Sequence, residues 1–379
     1  MIKWFCKYGF VLLLFNTILY SIDITKDTIA PLIFYMLMGG GLVFLLINPF
    51  QFKEVIFHKS FLFLLIINLI NFVYLLFFDI YFNQESLEYL MARFVSFSLI
   101  SLSVYYNFNY FKTRFPVHLI NVIALVVIIG LFIDPFIFSG RYDGIIWNPN
   151  MLASISVIAF AFLFLKEEKT GFEKFLMFLL LLVVLSTGSR GVLIAIVLSF
   201  ILKFGFSFRN IFYSIMGIGF VVLISNTNLD TSLNRISSQG LFNDRTDQFY
   251  FALETLKKEL FTGYGLYEYS GMPENIETPE ELEGLFLGSH NGYLSILIQY
   301  GIIFGGIIIM IIFRKSIQLI NYFRSMEDLK NIYLFIIIYT LLAANFESLL
   351  TGINEFHTIL FWFSLSYLSY SKFRNEHAI

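Results

Sequence analysis

Apolar runs close to twenty residues long recur along almost the whole chain, separated by short polar connections. A run of that length crosses the hydrocarbon core of a bilayer as an α-helix, which satisfies its own backbone hydrogen bonds. Candidate spans lie near 5–22, 29–48, 60–78, 87–106, 116–134, 150–165, 172–187, 190–204, 209–225, 290–313, 331–350 and 355–371. The expected fold is all-α, a polytopic transmembrane helical bundle of about twelve spans. These divide into nine helices over residues 1–225, an extracytoplasmic loop over 226–289, and three helices over 290–379. Composition agrees: 58% of the 379 residues are hydrophobic and 14% charged, more apolar surface than a soluble domain can hide.

Charge gives the spans a direction. With the N-terminus in the cytoplasm, Lys53/Lys59, Lys112/Arg114, Lys166/Lys169/Lys174, Lys203/Arg209, Arg314/Lys315/Arg324/Lys330 and Lys372/Arg374 all fall inside. The turns with Asp23/Asp27, Asp79/Glu85 and Asp134/Asp143 fall outside, with the long loop. Both termini are then expected in the cytoplasm. Lys3 and Lys7 before the apolar Tyr8–Tyr20 stretch resemble the start of a signal peptide. No small-x-small cleavage site follows near Tyr20-Ser-Ile-Asp23, so an uncleaved first helix is the expectation. A net charge of −2 offers no basic field for nucleic acid. The single cysteine, Cys6, rules out an intrachain disulfide framework and a multi-cysteine metal site. Walker, HExxH and EF-hand motifs do not occur.

The long loop has internal order. Asn243-Asp244 is a capping signal with Asp247 in the first turn after it. Phe249, Ala252, Leu253, Leu256 and Leu260 then follow helical spacing, which predicts an amphipathic helix lying on the outer membrane surface. Gly263 and Gly265 end it. The glutamate-rich Pro273–Gly284 reads as a solvated run.

Several residues carry chemistry on that outer face. Arg190 follows Ser186-Thr-Gly-Ser189, where a guanidinium and free backbone N–H groups suit a phosphate; the alternative is a tight turn whose arginine meets lipid headgroups. Arg245 starts the loop helix, whose dipole also favours an anion, unless it pairs with Asp244 or Asp247. His290-Asn291 opens the next span, placing a proton acceptor beside an amide; alternatively Ser289 caps that helix and His290 is merely interfacial. His58, His118 and His377 fall on the cytoplasmic side, and His357 has no basic neighbours, which leaves His290 as the best-placed base. Arg141 with Asn148-Pro-Asn150 forms a further polar turn. Arg93 lies about two turns below the end of its span, where burial costs about 2.5–3.5 kcal/mol and calls for a partner such as Glu88 or Glu347, or a substrate contact.

In this order, these segments resemble the family of O-antigen ligases and polysaccharide repeat-unit polymerases. The resemblance runs from Arg141…Asn148-Pro-Asn150 through Ser186-Thr-Gly-Ser-Arg-Gly191 and Asp244-Arg245…Glu259-Leu-Phe-Thr-Gly-Tyr-Gly265 to Gly288-Ser-His-Asn-Gly-Tyr293 and Tyr300-Gly301. Leu260-Phe-Thr262 stands where the family often has a proline. The resemblance implies a glycosyl transfer from undecaprenyl-diphosphate-linked oligosaccharide at the outer face of the bacterial cytoplasmic membrane, with no cofactor and no metal. It implies that Arg190 and Arg245 neutralise the diphosphate, that His290 deprotonates or positions the acceptor, and that Arg141, Asn150 and Asn291 shape the site; Asn148, Ser189 and Arg93 are further candidate substrate-binding residues. Polymerisation of repeat units for O-antigen, capsule or exopolysaccharide is the expected reaction, with a flippase and a chain-length regulator as companion proteins. A ligase acting on another acceptor is the nearest alternative. A transporter or flippase is the alternative from another class, disfavoured because only Arg93 lies deep in a span.

Overall fold

The computed structural model describes residues 2–79, 82–137, 141–189, 191–205, 207, 209, 210, 212, 245–267, 273 and 289–377. Among them the chain is helical, with one isolated antiparallel bridge, Ile22 to Ile146, and no strand. The first half holds α1 (Ile2–Leu19), α2 (Asp23–Lys26), α3 (Ile29–Ile47), α4 (Pro49–Ile56), α5 (Leu62–Phe77), α6 (Gln84–Thr113) and α7 (Phe115–Ile133). The second holds α8 (Pro149–Leu165), α9 (Gly171–Ser186), α10 (Gly191–Phe204), α11 (Arg245–Lys258), α12 (Gly292–Ser325), α13 (Ile332–Ala343) and α14 (Phe356–Glu376).

Five of these, α1, α3, α6, α7 and α12, are long and apolar enough to cross a membrane; α5, α8, α10 and α13 are shorter apolar helices. A count of twelve is therefore not reached among the described residues, and the span expected at 209–225 lies almost wholly outside them. Where the pattern led to one helix over 331–350, α13 stops at Ala343 and an irregular segment follows to Glu355. Asn345 and Glu347 interrupt the apolar run there, and the carbonyls of Ala344 and Glu347 are taken by the Gly292 N–H.

α6 and α14 form the centre. α14 is buried continuously from Phe356 to Ser369 and packs against α1, α6, α12 and α13. Its polar side chains are small, and Ser364 and Ser366 return their hydroxyls to the carbonyls of Leu360 and Trp362. α6 carries the buried Ser96, Ser98, Ser101 and Ser103, and Ser103 Oγ donates to Cys6 O on α1 at 2.6 Å. Small residues of this kind let helix backbones approach where lipid supplies no hydrophobic drive. Phenylalanine fills the space between: Phe10 stacks on Phe363 at 4.3 Å, and Phe111 meets Phe363 at 5.0 Å.

The loops collect into two sets at opposite ends of the bundle. One end joins Lys3 O to Asn107, Phe111 O to Tyr333, Ser60 O to Ser369 and Lys330 to Glu167. The other joins Ser21 O to Trp147 N, Ser186 O to Tyr142 N, Asp79 to Leu266 N and the Gly292 N–H to the 344–347 turn. Every candidate site residue among the described ones belongs to this second, acidic end.

Candidate functional site

A break in α12 anchors the site. Gly301 has φ +70°, inside the left-handed region, and its ladder is interrupted there. The loop after α11 supplies the missing bonds. Tyr264 N donates to Ile298 O at 2.9 Å, Gly265 N to Gln299 O at 3.1 Å, and Ile302 N to Leu260 O at 2.8 Å. Gly263 (φ +69°) and Gly301 meet backbone to backbone: a Cβ on Gly263 would lie 2.4 Å from Gly301 N. The Tyr74 hydroxyl posts this junction by donating toward Thr262 O at 2.5 Å and Gln299 O at 2.8 Å. The Gly-Tyr-Gly segment and Tyr300-Gly301 are thus two halves of one seam.

That seam aims α11. Ala252 and Leu256 share a buried cluster with Leu294 and Ile298 of α12, while Leu260 bonds to Ile302. With Leu260 held at Ile302, and Ala252 and Leu256 lying among Leu294 and Ile298, going back along α11 goes back along α12, so the two helices run side by side in the same direction. The N-terminal end of α11, where Arg245 sits, consequently lies toward the N-terminal end of α12. The expected helix forms, with one face against α12. Its buried face is Gln248, Ala252, Thr255 and Leu256, packed on protein, whereas Phe249 stays exposed. Residues 243 and 244 lie outside the described residues, as does the Arg245 side chain.

His290 immediately precedes α12. Its backbone is left-handed, φ +41°, a conformation that costs a non-glycine residue about 1–3 kcal/mol and persists only where neighbours enforce it. Ser289 does so from one side: buried, its Oγ lies 2.5 Å from Ser295 Oγ and 3.3 Å from Ser348 Oγ. Asn291 does so from the other. Its Oδ1 accepts from Tyr293 N and Leu294 N, both at 3.0 Å, which makes it, and not Ser289, the cap of α12. The Asn291 oxygen is thereby engaged in the fold. Gly292 N donates to Ala344 O at 2.7 Å and Glu347 O at 3.1 Å. The consequence is a pairing that the sequence did not announce: His290 Nδ1 stands 3.4 Å from Glu347 Oε2, with both side chains about a quarter exposed.

A second group gathers where α8, α9 and the 141–148 turn meet. Arg141 Nη2 donates to Asn150 Oδ1 at 2.7 Å and Nε to Thr187 O at 3.2 Å. Asn148 Oδ1 accepts from Asn150 N at 2.8 Å, capping α8. Ser189 is buried and its N–H donates to Thr187 Oγ1. Arg141, Asn148, Asn150 and Ser189 therefore converge. Arg190, next in the chain, lies outside the described residues.

Arg93 stands apart. It is buried, and its Nη2 donates to Thr351 O, to Tyr89 OH at 3.0 Å and to Gly352 O at 3.3 Å. Carbonyls thus replace the carboxylate partner expected from Glu88 or Glu347, because the 344–355 segment turns its backbone toward α6. Arg93 clamps that segment in place. Among the described residues no three His, Cys, Asp or Glu side chains are grouped to hold a metal ion.

Residues 175–310 match the family model described as O-Antigen ligase. That region of the chain is similar to the O-antigen ligase family. It contains the 186–191 turn, Arg245, the Gly263–Gly301 seam and His290-Asn291. The Arg141–Asn150 turn and Glu347 fall outside the matched family region, so the structure, not the match, brings them to the same end. A protein of Acinetobacter baylyi, a ComP-specific O-oligosaccharyltransferase, is 24% identical over 348 residues, 83% of this chain and 61% of its own length. The chain therefore spans about three fifths of the length of that relative.

Proposed function

We propose that the chain is a glycosyltransferase of the bacterial cytoplasmic membrane that joins undecaprenyl-diphosphate-linked repeat units at the outer face. The observation that carries this reading is the carboxylate-paired His290 at the start of α12, with the N-terminal end of α11 directed toward it. The partial positive charge at a helix N-terminus favours an anion. Arg245 begins α11, and Arg190 follows the buried Ser189.

In the proposed step the acceptor hydroxyl oxygen forms a bond to C1 of the donor sugar as the C1–O bond to the diphosphate breaks. The electron pair leaves with the lipid diphosphate, whose growing charge Arg190 and Arg245 offset. The acceptor proton passes to the His290 ring, which Glu347 holds by Nδ1 in the manner of a carboxylate orienting a catalytic imidazole. Energy comes from the diphosphate bond, so the step needs neither nucleotide nor metal. The Lys/Arg-rich bundle end faces the cytoplasm in this reading, and both termini with it. A flippase supplying the substrate and a chain-length regulator would be its companions.

The family description and the relative's name favour a second reading, transfer of a finished glycan to a different acceptor. One experiment separates them. The purified chain is given lipid-linked repeat units alone, and products are resolved by gel. A ladder with a one-unit step supports polymerisation; no elongation without a second acceptor supports the ligase.

A further inference from the structure

A cavity of about 580 Å³ opens beside the candidate site, between the end of α1, α3, α6, the start of α8 and the segment before α14. That volume suits a single small ligand or sugar unit. Its walls are of two kinds. Trp147, Tyr20 and Tyr35 offer aromatic rings, while Glu88, Asn354 and Glu355 offer polar groups. Trp147 and Tyr35 are exposed, and the Lys26 ammonium stands 5.3 Å from the Trp147 ring. Asn354 Oδ1 is buried with no hydrogen-bond partner among the described residues, a costly state for a polar atom that a ligand donor would relieve. Glu355 Oε2 accepts from Thr358 Oγ1 at 3.0 Å. Burial pushes the Glu355 carboxyl up to about 7, with the charge of Glu347 adding to the rise.

Both walls continue into the site. Trp147 precedes the Asn148–Asn150 turn that receives Arg141. The other wall is the segment that Arg93 clamps at Thr351 and Gly352, eight residues at most beyond Glu347, the partner of His290. The chemistry selects the occupant. Aromatic faces stack on the C–H face of a pyranose, and carboxylate and amide oxygens accept from its hydroxyl edge. Two carboxylates repel a diphosphate, so the donor's charged end belongs elsewhere.

We infer that this cavity is the acceptor subsite and takes a hydroxyl-rich sugar unit without anionic groups, stacked on Trp147 and hydrogen-bonded by Glu88, Asn354 and Glu355. This rests on the glycan-transfer reading and names its acceptor. The probe is the oligosaccharide freed by mild acid from the lipid-linked pool of cells carrying the chain, titrated onto the purified full-length protein and followed by saturation-transfer NMR. At pH 8, where Glu355 is ionised, Trp147→Ala and Glu355→Gln should each weaken binding about tenfold or more, the loss of a stacking face or a charge-assisted bond, and Trp147→Phe should retain most of it. Binding of undecaprenyl diphosphate should stay unchanged in all three. Equal sugar affinity in wild type and both variants would overturn the subsite, as would displacement of the sugar by undecaprenyl diphosphate or by a basic peptide. The two levels separate cleanly. Sugar bound at Trp147 without any glycosidic product removes the transfer reading and keeps the site. Transfer with an unchanged acceptor KM in both variants removes the site and keeps the transfer.

Discussion

The His290 ring and the Glu347 carboxylate meet at 3.4 Å across 57 residues of sequence, where the start of α12 meets the segment after α13. The pairing depends on three further contacts: Asn291 capping α12, Gly292 N–H on the 344–347 turn, and Ser289 against Ser348. Glu347 is a positioning residue in this arrangement. Glu347→Gln keeps a hydrogen-bond acceptor but removes the charge, and turnover should fall by about 10–10³-fold, less than loss of the base itself. Acceptor KM should move little. A variant as active as wild type would detach Glu347 from the mechanism.

The Gly263–Gly301 seam should be intolerant of any side chain. Gly263→Ala places a Cβ against backbone at 2.4 Å in a left-handed conformation, so one strand of the seam must shift. We expect α11 to detach from Leu294 and Ile298, seen as new protease cleavage between Arg245 and Lys258, with activity lost while the remaining bundle stays folded in detergent. An α11 that remains protected in Gly263→Ala would show that the seam does not aim this helix.

Arg93 should prove structural. Arg93→Lys keeps the charge but cannot reach two carbonyls and a hydroxyl with one planar group. The expected result is a lowered Tm with donor affinity unchanged. A weakened donor KM at unchanged Tm would instead assign Arg93 to the substrate.

Much of this was legible in the sequence, and the misses have physical causes. Apolar length identified the helices, and the ordered motifs brought Arg141, Asn150 and Ser189 to one end, where Arg141 does reach Asn150. Asn291 is ambiguous in sequence because a side-chain oxygen immediately before a helix serves equally as a cap and as a ligand, and the Tyr293 and Leu294 N–H groups reveal the cap. Arg93 misled because hydropathy cannot see a turn of backbone carbonyls. Glu347 was visible as a carboxylate in an apolar stretch, yet its partner depends on how α13 ends at Ala343, a tertiary choice. The α11 face failed at Phe249 because helical spacing gives a stripe but not its neighbour, which is α12.

Glu355 gives a pH test. Its carboxyl is raised by burial from the ordinary 4.5 to about 7, so the folded protein holds a proton there that the unfolded chain releases near 4.5. Its contribution is fully present below the unfolded value and is lost as pH rises through about 7. Glu355→Gln removes that dependence. The Tm of the variant minus that of wild type should therefore increase between pH 5 and pH 8, and a difference that is flat or falls over this window would contradict the assignment.

The most direct measurement is turnover of purified lipid-linked repeat units by His290 variants, with chelator present and no nucleotide. A general base contributes about 10²–10⁴-fold, so His290→Ala should lose turnover by that order while donor still binds. His290→Gln, which hydrogen-bonds but takes no proton at neutral pH, should be equally slow. Near-normal turnover by both variants, or a strict requirement for added divalent metal, would contradict the account.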